Sequence, residues 1–206
     1  MKKIVTADGS TTYYNEKYDE CYHSKTGAVE EAEKKFVEPA KIKSGMRILD
    51  VCFGLGYNSM AAMQKAKKLK ITALEKDPEI LKKGIKNKVK GYEKEYRKIR
   101  EAAKNLQYKD NDVEIKIIIG DATKTIKKLD EKFDAVFLDP FSPTKNPELW
   151  TEKFFKELKN RMKKGARLTT YSCAKAVRNN LKKAGFKVYD GPRVGRRGPS
   201  TIAENK

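Results

Sequence analysis

Residues 48–58 read ILDVCFGLGYN, and this stretch decides the fold. An apolar run ends at Asp50, and two glycines, Gly54 and Gly56, follow it two residues apart. Glycine allows turns and close backbone approaches that a Cβ atom would block. The stretch therefore predicts a buried strand of an open α/β sheet, with a ligand site at the carboxyl end of that strand.

The rest of the chain alternates between strand-like and helix-like segments. Seven segments are predicted as strands: MRILDVCF, ITALEKD, VEIKIIIGDA, FDAVFLDPF, ARLTTYS, FKVYDG and STIAEN. Helical patterns lie between them, and the long charged stretch from residue 78 to residue 107 predicts two helices broken near Gly91. Repeated β–α units predict a doubly wound, mostly parallel seven-stranded sheet of the Rossmann-like type, with helices on both faces.

Residues 1–45 precede this core and are predicted to form an N-terminal extension. The segment TADGSTTYY predicts a small hairpin, and GAVEEAEKKFVEPA predicts a helix that ends at Pro39. We expect the extension to pack on the domain formed by residues 46–206, so that the two make one structural unit.

The charge balance predicts a polyanionic partner. The 206 residues carry a formal net charge of +19, from 47 Lys and Arg against 28 Asp and Glu. Such an excess attracts nucleic acid. A heat-adapted surface is the alternative, although adaptation to heat usually adds charges of both signs.

Cysteine and histidine usage argues against a metal site. The three cysteines, Cys21, Cys52 and Cys173, are far apart and His23 is the one histidine. This pattern favours a reducing compartment over a disulfide framework. With no apolar segment long enough to cross a membrane, the sequence predicts a cytoplasmic protein without membrane or metal partners. It leaves the oligomeric state open and only slightly favours a monomer.

Acidic residues follow each of the first four predicted strands. They are Asp50, Glu75, Asp121 and Asp139. Any one of them is equally well explained as a turn acid or a helix cap, Asp121 above all, since a predicted helix begins directly behind it. Four together at matching strand ends predict a ligand site, because the carboxyl ends of parallel strands meet at one edge of the sheet.

The pattern favours S-adenosylmethionine over phosphate-bearing ligands. The chain has no P-loop, and the third glycine of a dinucleotide motif is replaced by Ser59. Strand-end carboxylates suit this ligand: Glu75 can accept the ribose hydroxyls and Asp121 the adenine amino group. Asp50 and Asp139 suit a cationic ammonium and sulfonium.

These motifs resemble a known family. ILDVCFGLGYNS, ALEKD, GDA and FLDPFSPTKNPELW resemble the class I S-adenosylmethionine-dependent methyltransferases, and among them the methyltransferase half of the bacterial tRNA-modifying MnmC enzymes. The N-terminal TADGSTTYYNEKYDECYHSKTGAVEEA and the C-terminal residues from LTTYSCAK onward are similar to that family as well. The resemblance implies methylation of the amine of 5-aminomethyl-2-thiouridine at the tRNA wobble position, with tRNA as partner.

The resemblance also implies a set of site residues. Asp139 would face both the cofactor and the amine, and the segment Tyr22–Ser24 would fold over the cofactor. The predicted cofactor-binding residues are Asp50, Phe53, Gly54, Gly56, Asn58, Glu75, Lys76, Asp121, Ala122, Asp139, His23 and Ser24.

The chemistry of the DPFSP segment points to Asp139 and Phe141 as the catalytic pair. Asp139 can accept a hydrogen bond from an amine and orient it, or help a proton leave. Pro140 fixes the backbone, and Phe141 offers an apolar or stacking wall. The segment resembles the Asp-Pro-Pro-aromatic loop of methyltransferases that act on base amino groups. His23 is an alternative base, although a lone histidine is more often a cap or a packing residue.

RNA contacts are predicted in the glycine-rich segment GPRVGRRGP. Its Arg193, Arg196 and Arg197 can grip phosphates, and Tyr171 can stack on a splayed base. The Lys-rich helices between residues 82 and 104 are interpreted as a solvated face.

Other functions stay open at this point. A methyltransferase of another RNA, protein or small-molecule amine shares every motif above. An aminopropyltransferase resembling spermidine synthase shares the fold, but a polycationic acceptor suits a +19 chain poorly. A non-catalytic RNA-binding module is disfavoured by the intact set of four strand-end acids.

Overall fold

The computed structural model describes residues 1–195 and 197–206. The strands are β1 (Lys2–Val5), β2 (Thr11–Asn15), β3 (Glu20–Cys21), β4 (Arg47–Val51), β5 (Leu69–Glu75), β6 (Gln107–Lys109), β7 (Val113–Ile119), β8 (Phe133–Leu138), β9 (Met162–Thr170), β10 (Phe186–Asp190) and β11 (Thr201–Asn205). The helices are Ala28–Ala40, Tyr57–Lys65, Pro78–Ile85, Glu93–Asn105, Ala122–Thr125, Glu152–Asn160 and Lys175–Lys183, with single 3-10 turns at Ile126–Lys128 and Pro147–Trp150.

The central sheet has the predicted Rossmann-like architecture. Its strand order is β10-β11-β9-β8-β4-β5-β7-β6. Strands β9, β8, β4, β5 and β7 run parallel to one another, and β11 is antiparallel to both β9 and β10. The fold class predicted from the sequence is thus confirmed.

The sheet has eight strands rather than the predicted seven. The additional strand β6 pairs antiparallel with the edge of β7. One residue, Leu106, separates β6 from the end of the helix Glu93–Asn105. Its φ of 59° lies in the left-handed region and turns the chain back towards the sheet. The two helices predicted between residues 78 and 107 form as expected, with Gly91 between them.

The two faces of the sheet bury different helices. Along β4, Ile48 belongs to one buried cluster, whereas Leu49 and Val51 belong to the other, as expected for alternating side chains. The first cluster includes residues of the helices Ala28–Ala40, Tyr57–Lys65 and Glu93–Asn105, and the second includes residues of Glu152–Asn160 and Lys175–Lys183. Helices therefore pack on both faces of the sheet and fix the positions of its strand ends.

The N-terminal extension contacts the core through its own sheet and helix. Strands β1 and β2 pair antiparallel as a hairpin, and β3 adds to β2. The helix Ala28–Ala40, which has π-type hydrogen bonding over Ala32–Val37, runs one residue past Pro39 and stops where Lys41 adopts a φ of 56°. Its Phe36 ring meets Phe137 of β8 edge-on, with centroids 6.3 Å apart.

Within the described residues, no helix is both long and apolar enough to cross a bilayer.

Candidate functional site

A cavity of about 460 Å³ opens at the carboxyl edge of the sheet. It is lined by Gly54, Asp121 and Asp139, which follow β4, β7 and β8, by Glu75 at the end of β5, and by Tyr22 of the N-terminal extension. This larger cavity falls within the range of about 300–1,000 Å³ that small-molecule sites occupy. Three of the four predicted strand-end acids, Glu75, Asp121 and Asp139, line this cavity, and Asp50 does not.

Glu75 is the most strongly held carboxylate of the larger cavity. One of its oxygens accepts the backbone N–H groups of Lys76 and Asp77, and the other accepts that of Gly54, each at 2.8 Å. Burial raises the pKa of Glu75, and the three N–H donors oppose that rise. Oε2 accepts one of these three bonds, so it keeps capacity for a donor in the cavity.

The two glycines of the turn, Gly54 and Gly56, leave out a Cβ atom for different steric reasons. Gly54 lines the cavity with a φ of 57°, and a Cβ there would lie 3.4 Å from His23 Nε2. Gly56 has a φ of 77°, and its Cβ would lie 2.6 Å from Phe53 Cζ and 2.7 Å from Ile99 Cγ2. The second glycine lets the turn pack on the helix Glu93–Asn105, while the first leaves room beside the cavity.

Asp121 acts as a helix cap and also lines the larger cavity. Its Oδ1 accepts hydrogen bonds from the Thr123 backbone N–H at 2.9 Å and the Thr123 hydroxyl at 2.7 Å. These bonds, the hydroxyl first, lower the pKa of Asp121. Lys76 Nζ lies 3.6 Å from the second oxygen, Oδ2, and the neighbouring Ala122 completes this wall.

Two buried polar atoms beside the turn have no protein partner among the described residues. They are Asp50 Oδ1 and His23 Nε2. Burial raises the pKa of Asp50 to about 7, although Ser59 Oγ donates to its Oδ2 at 2.6 Å. Burial lowers the pKa of His23 to about 4, so its imidazole is neutral at pH 7. Unsatisfied buried groups are rare in folded proteins, and here both lie beside the glycine turn.

Asp139 directly follows β8 and lies beside Asn58 and His23. Asn58 Nδ2 donates to its Oδ2 at 3.0 Å, and His23 Nδ1 lies 3.8 Å from the same oxygen, beyond hydrogen-bond range. No described residue donates to Oδ1. Burial first, and then the charge of Glu31, hold the pKa of Asp139 well above its usual range.

The N-terminal sheet closes over the segment that follows Asp139. The Tyr18 ring stacks on Phe141 with centroids 4.6 Å apart and planes 23° from parallel. Both the backbone N–H and the hydroxyl of Ser142 donate to the Glu20 carboxylate. On the other side, Trp150 Nε1 donates to the Phe141 carbonyl at 2.9 Å. Phe141 is thus fixed from both directions.

A smaller cavity of about 200 Å³ adjoins the larger one. Both are lined by Tyr22, Asp139, Pro140 and Phe141, so the two cavities adjoin at these four residues. Its other lining residues are Glu20, Cys21, His23, Ser24, Glu31, Ser142 and Tyr171. Asp139 therefore borders two separate spaces.

The structure sorts the predicted cofactor residues into three groups. Gly54, Glu75, Lys76, Asp121, Ala122 and Asp139 line the larger cavity. His23 and Ser24 line the smaller one. Asp50, Phe53, Gly56 and Asn58 line neither and are buried beneath the turn.

Several lining residues were not predicted from the sequence. They are Asn15, Lys17 and Tyr18 in the N-terminal extension and Asn146, Glu148 and Leu149 after β8. In the sequence both groups lie in segments that carry the family resemblance, FLDPFSPTKNPELW and TADGSTTYYNEKYDECYHSKTGAVEEA. That signal did not single out these residues, because the contact of the extension with Phe141 forms only on folding.

The predicted RNA-binding loop lies at the same edge of the sheet. It connects Asp190 of β10 to Thr201 of β11, which pairs with Thr170 at the end of β9. Arg193 and Arg197 are exposed, and Arg196 lies outside the described residues. Tyr171 donates from its hydroxyl to the Pro140 carbonyl at 2.9 Å and lines the smaller cavity.

The larger cavity fits S-adenosylmethionine. Its walls combine apolar side chains such as Leu74, Pro78 and Leu149 with the carboxylates of Glu75 and Asp121, which suit an adenosine. In residues 1–195 and 197–206, no group of three or more His, Cys, Asp or Glu side chains is arranged to hold a metal ion.

Comparisons with known proteins agree with this geometry. Residues 83–206 match the model of a family described as S-adenosyl-L-methionine-dependent methyltransferase. The crystal structure of MnmC2 from Aquifex aeolicus superposes with a TM-score of 0.82 at 37% identity, covering 100% of this chain and 70% of that one.

Two curated relatives are longer than this chain. An uncharacterized protein of Methanocaldococcus jannaschii is 38% identical over 97% of this chain and 58% of its own length. The bifunctional protein MnmC of Ralstonia nicotianae, named for tRNA 5-methylaminomethyl-2-thiouridine biosynthesis, is 31% identical over 93% of this chain. The chain spans only 33% of that bifunctional protein. The family match, the superposition and the larger cavity together show that the chain belongs to the S-adenosyl-L-methionine-dependent methyltransferases.

Proposed function

We propose that this methyltransferase acts on the amine of 5-aminomethyluridine or 5-aminomethyl-2-thiouridine at the wobble position of tRNA. The observation that carries the proposal is the position of Asp139. Its carboxylate is buried beside the larger cavity, one oxygen is fixed by Asn58, and the other is left without a described donor. Such a group can receive the N–H of an incoming amine.

The residues of the larger cavity would hold the methyl donor. Bound S-adenosylmethionine supplies a methyl group on a positively charged sulfur, which is already activated for displacement. Glu75 would accept the ribose hydroxyls, with its orientation fixed by three backbone N–H groups. Asp121 would accept the adenine amino group with Oδ2, because its Oδ1 is taken by Thr123. Both roles follow from acceptor capacity left open in the structure.

Asp139 would manage the proton of the acceptor. An alkylamine has a pKa near that of lysine, about 10.4, so at neutral pH it arrives as an ammonium ion without a lone pair. Transfer forms a nitrogen–carbon bond and breaks a sulfur–carbon bond, and one proton must leave the nitrogen before the attack. A buried carboxylate with a raised pKa suits this role, since it holds a proton more readily than an exposed one.

Charge and relatives support tRNA as the substrate. The net charge of +19 attracts the phosphate backbone, and the exposed Arg193 and Arg197 lie at the edge of the sheet where both cavities open. The MnmC relatives are named for biosynthesis of tRNA 5-methylaminomethyl-2-thiouridine, the methylated form of the proposed acceptor, and this chain matches about a third of their length.

The test is methyl transfer from radiolabelled S-adenosylmethionine to two tRNA pools. One pool carries aminomethyl wobble uridines and the other is an unmodified transcript of the same sequence. We expect label only in the first pool, and nucleoside analysis should recover it as the methylaminomethyl product. Equal labelling of both pools, or labelling of neither by protein that binds the cofactor, would contradict the proposed substrate.

A further inference from the structure

The smaller cavity differs in charge from the rest of the molecule. The charged side chains among its lining residues are Glu20, Glu31 and Asp139, and its described lining contains neither lysine nor arginine. The chain as a whole has 47 basic against 28 acidic residues. The protein as a whole carries an excess of basic residues, whereas the ionisable side chains that line the smaller cavity are mainly acidic. This lining favours a cationic ligand.

Glu31 is built into the wall of this cavity. Its Oε1 accepts Lys35 Nζ at 2.7 Å and its Oε2 accepts the Ser24 backbone N–H at 3.0 Å. The side chains of Lys35 and Glu31 are 4% and 11% exposed. A buried ion pair pays for its desolvation only when its geometry is well fixed. The pair holds a carboxylate in one orientation at the cavity wall.

Asp139 supplies an independent sign that the cavity takes a ligand. Its side chain is only 6% exposed, and Oδ1 has no hydrogen-bond donor among the described residues although Asp139 lines the cavity. A carboxylate oxygen that borders a cavity and has no protein donor keeps its acceptor capacity for a ligand.

The position of the smaller cavity suits an acceptor. Displacement at a methyl carbon is in line, so the nucleophile must approach from the side opposite the leaving sulfur. Tyr22, Asp139, Pro140 and Phe141 line both cavities, so the two spaces adjoin at these residues. An amine in the smaller cavity would therefore lie next to a methyl donor held in the larger one, with Asp139 beside both.

We propose that the smaller cavity binds a planar nucleobase carrying a primary alkylammonium group, and that Glu31 selects the ammonium charge. This inference rests on the proposed function and adds the place and the charge that define its acceptor. Three aromatic residues, Tyr22, Phe141 and Tyr171, line the cavity, and an aromatic lining suits a nucleobase. The ammonium lies between Glu31 and Asp139, so a neutral group of the same shape loses a charge-assisted hydrogen bond.

The experiment compares two nucleosides of nearly equal shape, 5-aminomethyluridine and 5-hydroxymethyluridine. Each is titrated by NMR into the full chain loaded with S-adenosylhomocysteine. We expect the aminomethyl probe to bind about tenfold more tightly, because hydrogen bonds to charged groups contribute more than neutral ones. Glu31→Gln should erase this difference and leave the affinity for S-adenosylhomocysteine unchanged. Equal binding of the two probes to the unaltered protein would overturn the proposal.

Two further variants control for unfolding and for a general effect of removing a charge from this helix. Glu31→Gln leaves the Lys35 charge buried without its partner, so the pair Glu31→Gln with Lys35→Met removes both charges and guards against simple unfolding. If this double variant folds and still prefers the ammonium, Glu31 does not select it. Glu38→Gln, on the same helix but half exposed and paired with Lys34, is the matched control and should keep the tenfold preference.

The outcomes separate this inference from the proposed function. Label transfer to aminomethyl tRNA with the same KM in the unaltered and Glu31→Gln proteins would keep the function and reject the role of Glu31. Absence of transfer to either tRNA pool, together with a Glu31-dependent preference for the aminomethyl probe, would keep the cavity assignment and reject the tRNA substrate.

Discussion

Asn58 Nδ2 donates a hydrogen bond of 3.0 Å to Asp139 Oδ2 and thereby joins the helix after the glycine turn to the segment after β8. The two residues are 81 positions apart in the chain. They meet because β4 and β8 are parallel neighbours whose carboxyl ends lie side by side. One oxygen of Asp139 is therefore committed to the protein, and the other is available to a substrate.

Asp139→Asn should abolish most turnover while leaving cofactor binding within roughly tenfold. The asparagine can still accept the Asn58 hydrogen bond, but it cannot take up a proton from the amine. Loss of a general base lowers rates by about 10²–10⁴-fold. Single-turnover methyl transfer and calorimetric cofactor titration would measure the two quantities separately.

The control for this change is Asp130→Asn, an exposed acid outside both cavities. It should leave both quantities unchanged. A parallel loss of turnover and cofactor affinity in Asp139→Asn would show that the residue anchors the cofactor and does not serve as the base.

The strand ends of the site could be predicted from the sequence, since strand periodicity and one acid after each strand fix which side chains meet at the edge of a parallel sheet. Glu75, Asp121 and Asp139 line the larger cavity for this reason. The extra strand β6 was missed because it is three residues long and follows directly on a helical pattern.

The contribution of the N-terminal extension could not be predicted in the same way. Tyr18 reaches Phe141, and Glu20 reaches Ser142, across 122 residues in the latter case. Such contacts depend on where the N-terminal sheet docks, which no local pattern encodes. Gly56 is a related case, because only the structure shows that its missing Cβ makes room for Phe53 and Ile99.

The two glycines of the turn should separate binding from packing. Gly56→Ala places a Cβ 2.6 Å from Phe53 Cζ in a left-handed conformation, so we expect a loss of stability of about 2–4 kcal/mol from overpacking and backbone strain. Gly54→Ala meets no atom closer than 3.4 Å, so its stability loss should be about 1 kcal/mol while its cofactor affinity falls. Urea unfolding and cofactor titration of both variants check this, and equal stability losses would contradict it.

Glu75→Gln should weaken cofactor binding about tenfold or more, because hydrogen bonds to a charged group are worth about 1.5–3 kcal/mol. The amide also turns an N–H donor towards one of the three backbone donors that now converge on the carboxylate. Glu79→Gln, at the rim of the same cavity and 58% exposed, is the matched control and should change the affinity little. Calorimetry decides between them, and similar effects in the two variants would rule out a special role for Glu75.

Asp50 should make the protein less stable as the pH rises from about 4 to about 7. Its pKa is about 7 in the folded chain against 3.8 as the ordinary value, so the unfolded chain releases this proton first. Asp50→Asn removes the effect, and the stability of the variant relative to the unaltered protein should grow over this range by at most about 4 kcal/mol. Urea unfolding at several pH values measures the difference, and a flat difference would contradict the assignment.

Asp8→Asn provides a comparison of opposite sign. Burial alone would raise the pKa of Asp8, but hydrogen bonds from Ser10 and Thr6 outweigh it and lower the pKa to about 2. The stability that this carboxylate contributes is present above its ordinary pKa of 3.8 and is lost as the pH falls towards 2. The two variants should therefore shift the stability profile in different pH windows.

The arginine loop should contribute to the salt dependence of tRNA binding. Replacing Arg193, Arg196 and Arg197 together by Gln should weaken binding and reduce the slope of log K against log salt by about 2–3, since each phosphate contact contributes about 0.7–0.9. Filter binding at several salt concentrations measures the slope. The matched control replaces three exposed lysines that are distant in sequence from the loop, Lys90, Lys94 and Lys104, and so removes the same number of charges. If both triple variants lower the slope equally, the loop acts only through the overall charge of the protein and holds no phosphate of its own.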